Sequence, residues 1–192
     1  HNGVDDEGFD FNRLDKFAEN TVSLEVSELV QVINAYKNGF FSNDVNGKIG
    51  LVGHSRGGGV ALLSSLIVKV ASYIVWASVA KFDRYTERQK TEWRKQGFVE
   101  VLNSRTNQMM RMNVESLEDI EANKNSSLSI EKAVKDLQKP LLILHGTEDL
   151  IVPIAEGEQI YNWSDKSITE FKKLATCGHT FDIVHPFEGS NK

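Results

Sequence analysis

Apolar positions along the chain fall into short runs separated by helical stripes. From Ser23 to Asn38, Val26, Leu29, Val30, Ile33 and Tyr36 share one helical face, with Ser23 placed to cap it and Asn38-Gly39 to stop it. Lys48 to His54 (KIGLVGH) is an apolar run of strand length. Val60 to Val70 is apolar almost all round, the pattern of a buried helix. Tyr73 to Ala80 (YIVWASVA) is β-branched and aromatic and predicts a second strand. Pro140 to His145 (PLLILH) predicts a third, Ile154 to Trp163 a helix, and the alternation of Ser167 to Leu174 a fourth strand. His1 to Asn20 and Ala175 to Lys192 read as loops.

Between the second and third strands the character changes. Lys81 to Lys139 is charged and helical in rhythm, with interruptions near Gly97, Asn103 and Asn123 to Ser127. Ser129 can cap a last helix whose face is Ile130, Ala133, Val134 and Leu137. The charges of Lys81 to Lys95 read as a solvated helical face. Strands alternating with helices need crossover connections, so the expected fold is α/β, a parallel sheet flanked by helices. Residues 1–80 and 140–192 would form the core, and 81–139 a helical cap insert.

The segment Gly53-His54-Ser55-Arg56-Gly57 matches G-x-S-x-G between an apolar strand and a buried helix. That setting is what a nucleophile elbow requires: the serine stands on a tight, strained turn with its hydroxyl exposed. Glycines two before and two after are expected to relieve clashes there. The backbone N–H of Arg56, at the start of the helix, is a candidate oxyanion donor. A serine hydroxyl needs a base, and the base an orienting acid. Asp149, in HGTEDLIVP, and His179, after Gly178, each follow a predicted strand, where open α/β sheets meet their ligands. Glu148 competes with Asp149, and His185 with His179.

GHSRGG, HGTEDLIVP and CGHTFDIVHPFEGS together resemble the α/β-hydrolase superfamily, most closely its dienelactone-hydrolase-like and acyl-peptidase-like serine hydrolases. The resemblance runs from about Lys48 to Gly189. It implies a Ser55, Asp149, His179 triad, no metal ligand and no cofactor. It implies cleavage of a carboxylic ester or related acyl bond in a small-molecule substrate through an acyl-enzyme. Rival readings are an acyl-aminoacyl-type serine peptidase and a non-catalytic binding protein of the same fold. The family sheet has about eight strands with the nucleophile after the fifth, whereas one helix and a loop precede that strand here. The chain therefore reads as the C-terminal part of the fold, about four strands. An open edge at Lys48 to His54 and a missing second oxyanion donor would make it poorly soluble and weakly active.

Composition adds exclusions. A net charge of −5 lacks the basic stripe that nucleic acid requires. No run approaches the length of a membrane span. One cysteine among 192 residues excludes a disulfide framework and fits a reducing, cytoplasmic compartment. Cys177 reads as a small packed residue, and Asp165 as a solvated loop carboxylate. His54, Trp76, Met109 and Met110 are candidate pocket residues. The blander reading of His54 and His145 is packing at strand ends, of Trp76 core, and of the methionines (Met112 included) packing within the lid.

Overall fold

The computed structural model describes residues 10–41, 47–103, 106–181 and 183. Four parallel strands make the central sheet: β1 (Gly50–His54), β2 (Ser72–Trp76), β5 (Leu141–Gly146) and β6 (Thr169–Leu174), in the order β1-β2-β5-β6. A two-stranded antiparallel sheet joins β3 (Phe98–Asn103) to β4 (Gln108–Asn113). The helices are α1 (Leu14–Ala18), α2 (Val22–Lys37), α3 (Arg56–Ser64), α4 (Glu87–Gln96), α5 (Val114–Asn123), α6 (Ile130–Lys135) and α7 (Ile154–Trp163).

Tyr73, Val75, Leu141 and Ile143 point to one face of the sheet and are buried there. α3 and α7 pack on that face, and α2 and α6 lie against these two helices. The opposite face is less covered among the described residues. Val52 is 66% exposed, and Ile74, Leu142 and Leu144 are half-buried. β1 pairs only with β2, so its other edge is open among the described residues. That matches the unpaired edge expected from the sequence.

Several boundaries moved, each for a local reason. Thr21, not Ser23, caps α2, its side chain accepting from the Leu24 N–H. Ser23 instead donates its N–H and hydroxyl to Asp119 of α5. The buried helix starts at Arg56, directly after the serine, and ends at Ser64 rather than continuing to Val70. β2 stops at Trp76 because Ala77 adopts φ 44° and turns the chain away.

The insert joins β2 to β5 as expected, but it is not helical throughout. Gly97 caps α4 in the left-handed region (φ 77°), and the chain then forms the β3–β4 hairpin. Trp93 ties α4 to this hairpin, its indole N–H donating to the Met112 carbonyl. The reading of Lys81 to Lys95 as a solvated face fails at Lys90. Its side chain is buried and paired with Asp83 (2.8 Å), Glu87 (3.2 Å) and Glu121 (3.5 Å). Three carboxylates satisfy a desolvated ammonium that a single partner would leave short of acceptors. Burial pushes the Asp83 carboxyl up, but Lys124 and Lys90 outweigh it and hold it below its ordinary range.

Candidate active site

β1 delivers Ser55 at its C-terminal end. The Ser55 N–H continues the parallel ladder by donating to the Trp76 carbonyl (2.8 Å). Its own carbonyl accepts from Gly58 (3.1 Å) and Val79 (3.3 Å). Held from both sides, Ser55 adopts φ 54°, ψ −122°, and its hydroxyl makes no cap bond to α3. A non-glycine residue in that region carries roughly 1–3 kcal/mol of strain, retained only where its surroundings impose it.

Four of the five described non-glycine residues with positive φ (Ser55, Ala77, Thr176 and Phe181) lie just past β1, β2 and β6 or in the His179 loop. The fifth, Asn107, turns the hairpin. Strain is thus gathered at one rim of the sheet, the rim that carries the candidate residues.

The elbow glycines do different jobs from those expected. A Cβ on Gly53 would sit 2.4 Å from the Gly57 carbonyl oxygen and 2.7 Å from the Gly58 Cα. A Cβ on Gly57 would meet nothing within 4 Å. The glycine that clears space on the helix side is Gly58, whose Cβ would meet the Ser78 side chain at 2.5 Å. Gly53→Ala is therefore expected to cost about 1–3 kcal/mol, because both blocking atoms are backbone. At this chain length that lowers the melting midpoint by roughly 2–12 °C. Gly57→Ala, in open space on a helix, should leave the midpoint unchanged or raised. Thermal melts followed by circular dichroism separate the two; equal midpoints would contradict this account.

The acid and base loops are zipped together. Past β5, the Thr147 N–H donates to the Leu174 carbonyl and the Glu148 N–H to the Cys177 carbonyl. The Thr176 N–H returns to the Thr147 hydroxyl. Gly146 permits this approach, since a Cβ there would lie 2.2 Å from the Cys177 oxygen. Cys177 contributes its backbone to this contact. Of the two adjacent carboxylates, Glu148 is exposed and Asp149 is buried.

Asp149 Oδ1 accepts from the N–H groups of Ile151 (2.9 Å) and Val152 (2.8 Å). Asp149 Oδ2 accepts from His179 Nδ1 at 2.8 Å. Burial pushes the Asp149 carboxyl up, but the hydrogen bonds from His179, Val152 and Ile151 outweigh it and hold it below its ordinary value. An ionised carboxylate only accepts, so Nδ1 of His179 carries a proton and Nε2 is the nitrogen left to face a reacting group. His185 lies outside the described residues.

His54, the residue before Ser55, reaches the base directly. Its Nε2 lies 2.9 Å from the His179 carbonyl oxygen, and the two rings are 4.7 Å apart. A carbonyl can only accept, so His54 Nε2 bears the proton. The elbow and the His179 loop are thereby joined. No hydrogen bond joins the Ser55 hydroxyl to the His179 ring among the described residues.

Arg56 turns its guanidinium to Glu25 of α2 (2.9 Å) and over the Phe82 ring. Its backbone N–H stays at the first position of α3, beside Ser55. Trp76 is 38% exposed, and its ring meets that of Phe181, two residues past His179. Leu150 (92% exposed) and Ile151 (64%) follow Asp149. Met109 and Met110 do not form one wall: adjacent on β4, they alternate, Met110 buried and Met109 exposed. The Trp76–Phe181 contact was half visible in the sequence, which singled out Trp76 but not Phe181. Among the described residues no group of three His, Cys, Asp or Glu side chains is arranged to hold a metal ion.

A parallel sheet with a strained serine at one strand end, and an aspartate–histidine pair on the loops after β5 and β6, is the α/β-hydrolase-type fold. Neither a family model nor a curated protein matches the sequence. Solved structures do. A protein of Agrobacterium vitis assigned as a hydrolase superposes with a TM-score of 0.67 at 20% identity, over 85% of this chain and 63% of that one. Est1E from Butyrivibrio proteoclasticus superposes with a TM-score of 0.61 at 16% identity, over 85% and 64%. The monoacylglycerol lipase of Paleococcus ferrophilus gives 0.57 at 14% identity, over 80% and 66%. The chain spans less than two thirds of the length of each. Likeness at these identities establishes the fold. No described helix is long and apolar enough to cross a membrane.

Proposed function

We propose that this chain carries the nucleophile, acid and base of a serine hydrolase that cleaves a carboxylic ester or related acyl bond. The observation that carries the reading is the 2.8 Å hydrogen bond from His179 to the buried Asp149, on a loop pinned by His54 beside the strained Ser55 elbow.

In the proposed reaction Ser55 Oγ attacks the acyl carbonyl while His179 Nε2 takes its proton. Asp149 holds the ring in the Nδ1–H tautomer and stabilises the imidazolium. The Arg56 N–H faces the oxyanion as it forms. The tetrahedral intermediate collapses, His179 returns the proton to the departing alcohol, and an acyl-Ser55 ester remains. Water, deprotonated by His179, then releases the carboxylic acid and restores Ser55. The apolar rim of Trp76, Phe181, Leu150 and Ile151 suits an apolar acyl or alcohol group. The insert 81–139 would act as the cap that shapes the substrate space. Among the similar solved structures are an esterase domain from Rhodothermus marinus and Est1E with ferulic acid bound, which agrees with an ester substrate.

The test is covalent labelling of the purified protein with a fluorophosphonate, with the adduct mapped by mass spectrometry. Matched panels of p-nitrophenyl esters and peptide p-nitroanilides are run beside it. The expected result is one adduct, on Ser55, and turnover of esters over amides. A folded protein that takes no label overturns the catalytic reading in favour of a binding protein. Faster amide turnover would replace the esterase assignment with a peptidase.

A further inference from the structure

His145 plays no part in the reaction just described, yet its ring is fully buried behind Asp149 at the end of β5. Its Nε2 lies 2.8 Å from the Val152 carbonyl oxygen. A carbonyl only accepts, so this nitrogen carries the proton. The same Nε2 is 3.4 Å from Asp149 Oδ2, the oxygen that receives His179. The ring's other nitrogen, Nδ1, is buried with no hydrogen-bond partner among the described residues. Gly157 of α7 is packed against it, since a Cβ there would lie 2.6 Å from Nδ1.

A buried acceptor without a partner is destabilising, and an apolar side chain of similar volume would avoid it. The imidazole is unfavourable on that side and makes its contacts on the other. There it closes the turn 145–152 onto the Val152 carbonyl, and the N–H groups of Ile151 and Val152 in that turn hold Asp149 Oδ1.

We propose that His145 is a positioning residue for Asp149: its Nε2–H, bonded to the Val152 carbonyl, closes the turn whose Ile151 and Val152 N–H groups hold Oδ1, and so keeps the carboxylate in the orientation that engages His179. The catalytic consequence rests on the serine-hydrolase reading; the geometric one does not.

The experiment compares His145→Leu, which fills the space without a donor, with His145→Gln, whose amide N–H reaches the position of Nε2. Folding is checked by cooperative thermal melts. Three quantities are read: the rate constant of Ser55 labelling by a fluorophosphonate, kcat and KM on an ester, and the downfield proton resonance of His179 Nδ1–H. His145→Leu is expected to lower kcat and the labelling rate by about 10–100-fold, the range seen when partners that orient a catalytic group are removed. KM should stay within about twofold, since substrate binding is untouched. The His179 resonance should move upfield or broaden, and His145→Gln should restore most of each loss.

A folded His145→Leu with unchanged rates and an unchanged resonance overturns the proposal, as does a Gln variant no better than Leu. If the Leu variant does not fold, the Gln variant decides: near-native rates and resonance support the role, and a folded Gln variant slowed as much as 10-fold overturns it. Wild type that takes no label removes the catalytic reading, and the His179 resonance in the variants still decides whether His145 holds Asp149 in place.

Discussion

Ser55→Ala is expected to lower kcat for ester hydrolysis by about 10⁶-fold, with no covalent fluorophosphonate adduct remaining. The size follows from the geometry. The Ser55 hydroxyl caps nothing and stands at the apex of a strained turn. In the proposed reaction its removal takes away the group that forms the acyl-enzyme, and it disturbs little else. Alanine has no γ-oxygen, so neither attack nor an acyl intermediate is available. Residual turnover would come from substrate binding and the Arg56 N–H alone. Stability should change little, because backbone hydrogen bonds from Ser55, Gly58 and Val79 hold the elbow. Steady-state kinetics with an active-site titration measures this. Retention of more than about 1% of wild-type kcat would mean that another residue is the nucleophile.

Asp149→Asn should lower kcat by about 10⁴-fold at nearly constant KM. The amide has almost the shape of the carboxylate, but its NH₂ donates. With its oxygen facing the Ile151 and Val152 N–H groups, its NH₂ faces His179 Nδ1. That nitrogen must then accept, the ring proton moves to Nε2, and the base that should face Ser55 is lost. The negative charge that stabilises the imidazolium is lost as well. A fall in kcat of less than tenfold would show that Asp149 does not orient the base.

The same variant carries a pH signature in stability. The folded Asp149 carboxyl is held below its unfolded value. The unfolded chain therefore takes up the proton first as pH falls. The stability from the ionised group is complete above the ordinary carboxylate range, about pH 4. It is lost as pH falls through the folded value. The Asn variant has no such proton to take up at this site, so the stability gap between the two proteins should narrow on acidification. Denaturant melts at several pH values test this; a gap that widens below pH 4 would contradict it.

Much of the candidate site could be read from local pattern, and particular residues show why. Ser55 was visible because an elbow needs a strand, a small-residue turn and a helix in immediate succession, all within a dozen residues. Helix α7 and strands β5 and β6 were placed within about two residues of their bounds, since their apolar spacing reflects a buried face. The insert was less legible. Strands β3 (Phe98–Asn103) and β4 (Gln108–Asn113) pair antiparallel, yet their residues alternate only weakly because they pack few side chains on either face. Lys90 was misread as solvated because its three carboxylate partners come from a loop, its own helix and α5, which no window on the sequence brings together.

By itself the sequence determined the strand and helix order, the elbow, and the candidate residues Ser55, Asp149 and His179, because each depends on neighbours a few positions away. Only the tertiary structure decided which carboxylate meets the histidine, that His54 pins the loop of His179, and that His145 stands behind Asp149. These contacts join residues brought close by parallel β1, β2, β5 and β6, whose ends share one rim while lying far apart in the chain. Distances across that rim depend on register, on backbone approaches such as Gly146 against Cys177, and on which side chains lose water. None of these is a property of any local stretch of sequence.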